Sequence, residues 1–164
     1  DESGGWIELI NLCDANPGCV VVINTAARSA DGVSKYGETL GHTLAELKRD
    51  LITCWVINRQ RDSLELLKQY MDVMPGQVHV VRNGYFGDEK KFELYGTSKL
   101  KLAVEARNGK SVTFPDLADR VIDDLYIQRL TIEDAVKTLP IGNRAELLRW
   151  RGECKKILTE ITNE

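Results

Sequence analysis

Residues 51–67 read LITCWVINRQRDSLELL, and this stretch decides the fold class. Its first part, Leu51–Asn58, is an apolar run, which predicts a buried strand. Apolar residues then recur at helical spacing over Leu64–Met71, which predicts an amphipathic helix with Asp62 as its N-cap. A buried strand followed at once by an amphipathic helix is the building unit of a parallel sheet with helical crossovers.

The same alternation extends along the chain. Apolar runs at Cys19–Thr25, Val78–Val81 and Val112–Phe114 predict three further strands. Helical spacing and the residues that end each stretch predict helices near 6–13, 33–49, 99–106 and 115–125. Two further helices are predicted from their N-caps, one at Thr131 and the last one at Asn143. The predicted fold is a single α/β domain over residues 1–164, with a mostly parallel sheet and helices on both faces.

Composition narrows the class of protein. The chain has 164 residues and a net charge of −3, so we do not expect a surface that is basic throughout and binds nucleic acid over its whole extent. No apolar run is long enough to cross a bilayer, and we expect a cytoplasmic protein without a membrane partner. The four cysteines, Cys13, Cys19, Cys54 and Cys154, contain no C-x-x-C pair, which disfavours a zinc site and predicts reduced, packed thiols. No hydrolase elbow or H-E-x-x-H motif occurs.

The candidate binding residues follow the predicted strands. In a parallel sheet, ligands bind beyond the carboxyl ends of the strands. Asn24, Asn58 and Asn83 each stand at such an end, and arginines follow the first two. A side-chain amide can donate to and accept from a nucleobase, but asparagine also commonly satisfies its own turn, and both interpretations of Asn58 stay open. For Asn83 the Asn-Gly sequence favours the turn.

Six segments of the chain resemble ParA/MinD-like P-loop ATPases, and most closely those of the plasmid partition, stability and mobilisation group. The segments are VVVINTAARS at 20–29, CWVINRQRDSLELL at 54–67, VHVVRNGYFG at 78–87, FELYGTSKLK at 92–101, FPDLADRV at 114–121 and LPIGNRAELLRW at 139–150. The resemblance covers nearly the whole chain. It implies a P-loop-NTPase-like fold and a role in plasmid maintenance, partition or conjugative mobilisation.

The resemblance also implies a role for each of two asparagines, and one of them departs from the family pattern. Asn58 matches the position that reads the nucleotide base. Asn24 stands where the family has an aspartate that holds Mg²⁺ through water, and a neutral amide is a poorer partner for that ion. Asn24 is then either a hydrogen-bonding partner of water or phosphate, or only the end of a strand.

The phosphate-binding loop itself is absent from the sequence. No G-x-x-x-x-G-K-[ST] string occurs, and Gly4-Gly5 is followed by Trp6. The chain begins at Asp1, and we expect it to start inside a longer protein, without the first strand and loop of the domain. ATP and Mg²⁺ are therefore expected as cofactors of an intact protein, with neither bound tightly by this chain and no ATP hydrolysis.

Two functions follow from these observations. The first is a nucleotide-binding domain that is inactive as an ATPase in this form, favoured by Asn58. The second is a protein-interaction module on the same fold that no longer uses nucleotide, favoured by Asn24. A homodimer and a plasmid-encoded protein are the expected partners, and whether DNA is a partner stays open.

The last helix has two possible uses. Leu147, Trp150, Cys154, Ile157 and Ile161 are spaced alternately by three and four residues, as in the seam of a coiled coil. Two heptads are short for a coiled coil, so we expect the stripe to pack on the domain's own sheet. The resemblance also implies a missing P-loop strand beside Cys19–Thr25, and we expect the sheet edge left by its absence to be covered.

Overall fold

A three-stranded parallel sheet organises the structure, which is a computed structural model describing residues 2–25, 30–74 and 76–162. The strands are β1 (Ile52–Ile57), β2 (Gln77–Asn83) and β3 (Ser111–Phe114), and they lie in the order β1-β2-β3. Every pairing in this sheet is parallel, with Trp55 opposite Val80 and Val81 opposite Val112. The predicted α/β class is therefore confirmed in the part of the chain that these ranges cover.

Helices connect and cover the strands. Their bounds are α1 Glu2–Ala15, α2 Ala30–Leu47, α3 Arg61–Val73, α4 Glu93–Gly96, α5 Lys99–Ala106, α6 Asp119–Ile127, α7 Ile132–Thr138 and α8 Ile141–Thr162. Two short 3-10 turns, Gly84–Phe86 and Glu89–Lys91, lie between β2 and α4. Among the described residues, no helix is long and apolar enough to span a membrane.

One face of the sheet carries the main core. The predicted buried stripe of α3 is Leu64, Leu67 and Met71, and Leu67 and Met71 are buried there with Val78 and Val80 of β2, whereas Leu64 is partly buried against the same cluster. Tyr95 of α4 is also buried in this cluster. Alternate residues of a strand point to opposite faces, so this face takes the even-numbered residues of β2 and leaves His79 and Val81 for the other face.

The last helix covers part of the second face and contributes to a separate core. Ile157 and Ile161 of α8 pack against Val81 and Val112. At its other end, Leu147 is completely buried in a cluster with residues of α6 and α7. The apolar stripe of α8 is therefore used within the chain, as expected, though α6 and α7 share it with the sheet.

The predicted strand at Cys19–Thr25 is not formed. These residues adopt no regular structure, and Val20 and Val22 are 88% and 87% exposed. A strand obtains its hydrogen bonds from a neighbour, and in the described part of the chain no segment pairs with this one. The apolar composition of this segment therefore suits a strand, but no described segment lies beside it to provide the hydrogen bonds of a sheet.

Arg49 holds the beginning of this irregular segment. Its guanidinium donates hydrogen bonds to the carbonyl oxygens of Cys13 at 2.9 Å, Asn16 at 2.5 Å and Cys19 at 2.7 Å. The C-terminal carbonyls of a helix lack intrahelical partners, and a guanidinium offers five N–H donors in a fixed fork. Arg49 thus closes the end of α1 and anchors the chain where the segment leaves it.

No strand from the described residues lies along the outer edge of β1, and covering of the sheet edge by a second chain stays a prediction. The face of β1 that lies on the same side of the sheet as α8 is also uncovered. Ile52, Cys54 and Val56 are exposed there, whereas Val81 and Val112 in the neighbouring strands are buried beneath α8.

Two predicted helix caps differ from the structure and one agrees. The α3 helix begins at Arg61, so Asp62 lies in its first turn and is not the N-cap. The α8 helix begins at Ile141, two residues before Asn143. Thr131 does cap α7, since its hydroxyl accepts a hydrogen bond from the Asp134 backbone N–H at 3.1 Å.

Candidate functional site

A cavity of about 370 Å³ opens at the carboxyl end of β1, where the turns after β1 and β2 meet. Its lining combines amides, cations and one aromatic ring: Asn58, Arg59, Gln60, Phe86 and Lys91. The volume falls in the lower part of the range for small-molecule sites, and the position is the one where open parallel sheets bind ligands.

Asn58 both organises the turn into α3 and lines the cavity. Its side-chain oxygen accepts hydrogen bonds from the Gln60 backbone N–H at 2.8 Å and from the Ser63 hydroxyl at 3.3 Å. These donors fix the orientation of the amide, because its NH₂ group cannot take their place. The two interpretations of Asn58 are therefore compatible, since the oxygen serves the turn while the NH₂ group stays available to a ligand.

Asn83 and Asn24 do not join Asn58. The Asn83 oxygen accepts from the Tyr85 backbone N–H at 3.1 Å and so begins the first 3-10 turn, as the Asn-Gly sequence predicted. Asn24 is exposed in the irregular segment after α1, and neither asparagine lines the cavity. The structure thus places one of the three predicted site residues in the cavity.

Phe86 and Lys91 were not predicted, and glycines bring them to the site. Phe86 packs on the main core while it also lines the cavity. Gly87 has a φ of +111°, and a Cβ there would lie 2.8 Å from Cγ of Lys91, so the lysine stem passes directly over this glycine. The Asn-Gly and Phe-Gly pairs in residues 83–87 were the available signal, because they mark two sharp changes of chain direction.

A buried arginine ties the second 3-10 turn to the sheet. Arg82 of β2 donates to the Thr113 hydroxyl at 2.8 Å and to the Ser111 carbonyl at 3.2 Å, and it pairs with Glu89 at 3.1 Å. Glu89 begins the turn that ends at Lys91. The sequence signal was an arginine directly after the apolar run Val78–Val81, since a buried charge requires partners.

Comparison with known proteins places the chain in a family. It is 68% identical over 165 residues to Protein MobD of Acidithiobacillus ferrooxidans, a match that covers all of this chain and 73% of that protein. The chain belongs to the MobD family. No protein-family model matches this MobD family member, and no solved structure matches it.

The side chains at the cavity of this MobD family member offer three kinds of contact. Asn58 offers donors, Phe86 offers an apolar ring, and Arg59 and Lys91 offer positive charge. Within the described ranges, neither Arg59 nor Lys91 forms an ion pair, and no cluster of three or more metal-ligating side chains occurs. The arrangement therefore fits a group that has an aromatic or amide portion and a negative charge nearby.

Proposed function

We propose that this chain acts in plasmid mobilisation, as a ParA/MinD-like domain that contacts a nucleotide through the cavity at Asn58 and does not hydrolyse ATP in this form. One observation carries the biological part of the proposal. The whole chain aligns at 68% identity with a protein whose name, MobD, assigns it to mobilisation. Identity at this level over the whole of this chain supports a shared role.

The chemistry of the cavity supports the nucleotide part of the proposal. A nucleobase can stack on Phe86 and accept a hydrogen bond from the Asn58 NH₂ group, while Arg59 and Lys91 attract a phosphate. These contacts resemble one half of a nucleotide site. The phosphate-cradling backbone of a P-loop is not in the sequence, so affinity for ATP has to come mainly from the base.

A nucleotide-independent interaction module is the second candidate, and β1 favours it. The open edge of β1 and its exposed Ile52, Cys54 and Val56 form an apolar surface that suits a protein partner. A second copy of the chain or a plasmid-encoded protein is the proposed occupant. Binding of a partner without any effect of nucleotide would favour this candidate over the first.

Mobilisation is tested by plasmid transfer between bacterial strains. Deleting the gene from its plasmid should lower the transfer frequency, and supplying the intact gene in trans should restore it. Transfer at the wild-type frequency after deletion would contradict the proposed role.

Nucleotide binding is tested by calorimetry with Mg-ATP and with adenosine. We expect no turnover, and affinities for the two ligands that are weak and similar, because the base provides most of the contacts. Asn58→Asp should abolish this binding while the protein stays folded, since the carboxylate keeps the acceptor for the turn but removes the NH₂ donor. Asn83→Asp is the matched control and should bind as the wild type does. Micromolar affinity for ATP, or turnover, would contradict this half of the proposal.

A further inference from the structure

An exposed tyrosine stands beside the cavity without lining it. Tyr85 is 65% exposed, and its ring meets the ring of Phe86 edge-on, at a centroid distance of 5.3 Å and an angle of 83°. Exposing a large ring to water forgoes the stabilisation that burial would bring. Phe86 faces the cavity, so two aromatic rings at nearly a right angle lie next to each other at the edge of the sheet.

The turn that carries Tyr85 is held rigidly. Asn83 bonds the Tyr85 backbone N–H, and Gly84 packs so closely against the Phe114 carbonyl that a Cβ would not fit. The Gly87 backbone N–H then closes the turn onto the Gly84 carbonyl at 2.9 Å. A ring presented on a fixed backbone loses little further freedom when a ligand stacks on it.

Positive charge surrounds these rings, although the chain as a whole is acidic. Arg59 and Lys91 line the cavity, exposed Lys90 adjoins Lys91 in sequence, and exposed Arg61 lies two residues after Arg59. The nearby Glu89 is already paired with Arg82. Residues 59–62 and 88–91 contain these four cations and, besides Glu89, only Asp62 and Asp88, so the two segments together are net positive in a chain whose net charge is −3.

We infer that this edge binds single-stranded DNA, with one base stacked on Phe86 in the cavity, a neighbouring base on Tyr85, and phosphates near Arg59 and Lys91. The inference rests on the proposed function in plasmid mobilisation, and DNA is chosen over RNA because plasmids are DNA. A mononucleotide would use the cavity and leave Tyr85 unused. A duplex would keep its bases stacked on one another and out of reach of both rings. Exposed aromatic rings interleaved with cations are the usual means of holding a single strand.

The experiment is fluorescence anisotropy with a labelled oligothymidine and the full chain, over a range of salt concentrations. We expect binding that weakens as salt rises. Tyr85→Ala should weaken it by about tenfold or more, because one base can no longer stack. The double variant Arg59→Gln, Lys91→Gln should lower the slope of log affinity against log salt by about 1.4, since each phosphate that the protein ceases to neutralise lowers it by about 0.7.

Matched controls exist elsewhere on the surface. Tyr126 on α6 is 85% exposed, and Lys155 and Lys156 are exposed on α8. Tyr126→Ala should bind as the wild type does, and the double variant Lys155→Gln, Lys156→Gln should keep the wild-type salt slope. Equal losses of affinity in the control and test variants would overturn the assignment of the site.

Three further outcomes would overturn the inference. They are the absence of oligothymidine binding at low salt, equal affinity for the corresponding duplex, and equal affinity for ATP with complete displacement of the oligonucleotide. An oligouridine bound more tightly than oligothymidine would overturn the choice of DNA.

The transfer assay separates this inference from the proposed function. If deletion of the gene leaves transfer unchanged, the proposed function fails whatever the oligonucleotide does. If deletion abolishes transfer but Tyr85→Ala binds oligothymidine as tightly as the wild type does, the proposed function stands and the inference fails. Reduced transfer with Tyr85→Ala and normal transfer with Tyr126→Ala support both.

Discussion

At Gly84 the chain has room for no side chain. A Cβ there would lie well inside contact distance of the Phe114 carbonyl oxygen and 3.1 Å from the Asp116 backbone nitrogen. Both are backbone atoms, at the end of β3 and two residues beyond it, so they cannot move aside as the end of a flexible side chain could. We expect Gly84→Ala to lower the free energy of unfolding by about 1–3 kcal/mol, measured by urea denaturation.

Gly152 supplies the control for this substitution. It lies within α8, and nothing approaches within 4 Å of the position its Cβ would take. Gly152→Ala should raise the free energy of unfolding by up to about 1 kcal/mol, because alanine is the better helix former. Equal effects of the two substitutions would contradict the close packing at Gly84.

His79 makes the stability of the protein depend on pH. It is fully buried, its Nδ1 accepts a hydrogen bond from the Lys110 backbone N–H at 3.0 Å, and its Nε2 has no partner among the described residues. Burial lowers the pKa of His79, nearby Lys110 lowers it further, and Glu160 on α8 acts in the opposite direction. The folded protein therefore resists protonation at this ring.

The sign of the effect follows from that lowered pKa. The unfolded chain binds a proton near the ordinary histidine pKa of about 6.5, and the folded chain binds it only at lower pH. The stability contributed by neutral His79 is thus fully present above about pH 6.5 and is lost as the pH falls through the folded-state pKa. Urea denaturation between neutral and mildly acidic pH should show this loss. His79→Gln should flatten it, and His42→Gln, at an exposed site, should not. If His79→Gln keeps the wild-type dependence of stability on pH, that dependence comes from other groups.

Among the elements, α8 shows how an apolar stripe is used. Leu147 is completely buried against α6 and α7, whereas the adjacent Leu148 is 48% exposed. Leu147→Asp should therefore lower the free energy of unfolding by at least about 3 kcal/mol, since a packed side chain is removed and an unpaired charge is buried. Leu148→Asp should change it by less than about 1 kcal/mol. Thermal unfolding followed by circular dichroism compares the two.

Light scattering on the same variants tests the coiled-coil alternative. A wild-type dimer that becomes a folded, stable monomer on Leu147→Asp would mean that the stripe forms an interface between chains. The burial of Leu147 within one chain predicts that this result will not be obtained.

For the molecule as a whole, the exposure of each cysteine indicates which surfaces are covered. Cys13 and Cys154 are buried, while Cys19 and Cys54 are exposed, so the expectation of four packed thiols is wrong for two of them. Native protein treated with a maleimide should be labelled at Cys19 and Cys54, and at the other two only after unfolding, as mass spectrometry can show. Partial shielding raises the pKa of the Cys54 thiol, which should make it react more slowly than a fully solvated thiol.

The concentration dependence of this labelling tests the proposed partners of β1. Cys54 lies on the open face of that strand, so its protection at high protein concentration would indicate a second copy of the chain bound there. Labelling that stays the same at every concentration would contradict a homodimer that uses this face.

Local sequence was sufficient for most elements and for the position of one residue that lines the cavity. The three strands of the sheet lie where unbroken apolar runs predicted them, and α3 buries the predicted Leu67 and Met71. Asn58 lies at the cavity because a residue that follows a parallel strand necessarily lies at the carboxyl edge of the sheet. These results depend on periodicity and chain direction, which are properties of short stretches.

Contacts between distant parts of the chain decided the positions of Phe86 and Lys91. They also decided that Cys19–Thr25 does not form a strand. Phe86 and Lys91 reach the cavity through turns that pack on β3 and through the buried Arg82, none of which short-range patterns contain. Cys19–Thr25 is as apolar as β1, yet only β1 has a neighbouring strand. A helix closes its hydrogen bonds within its own residues, so a stretch of sequence can specify it. A strand needs partners from elsewhere in the chain, and the tertiary structure alone decides whether they are present.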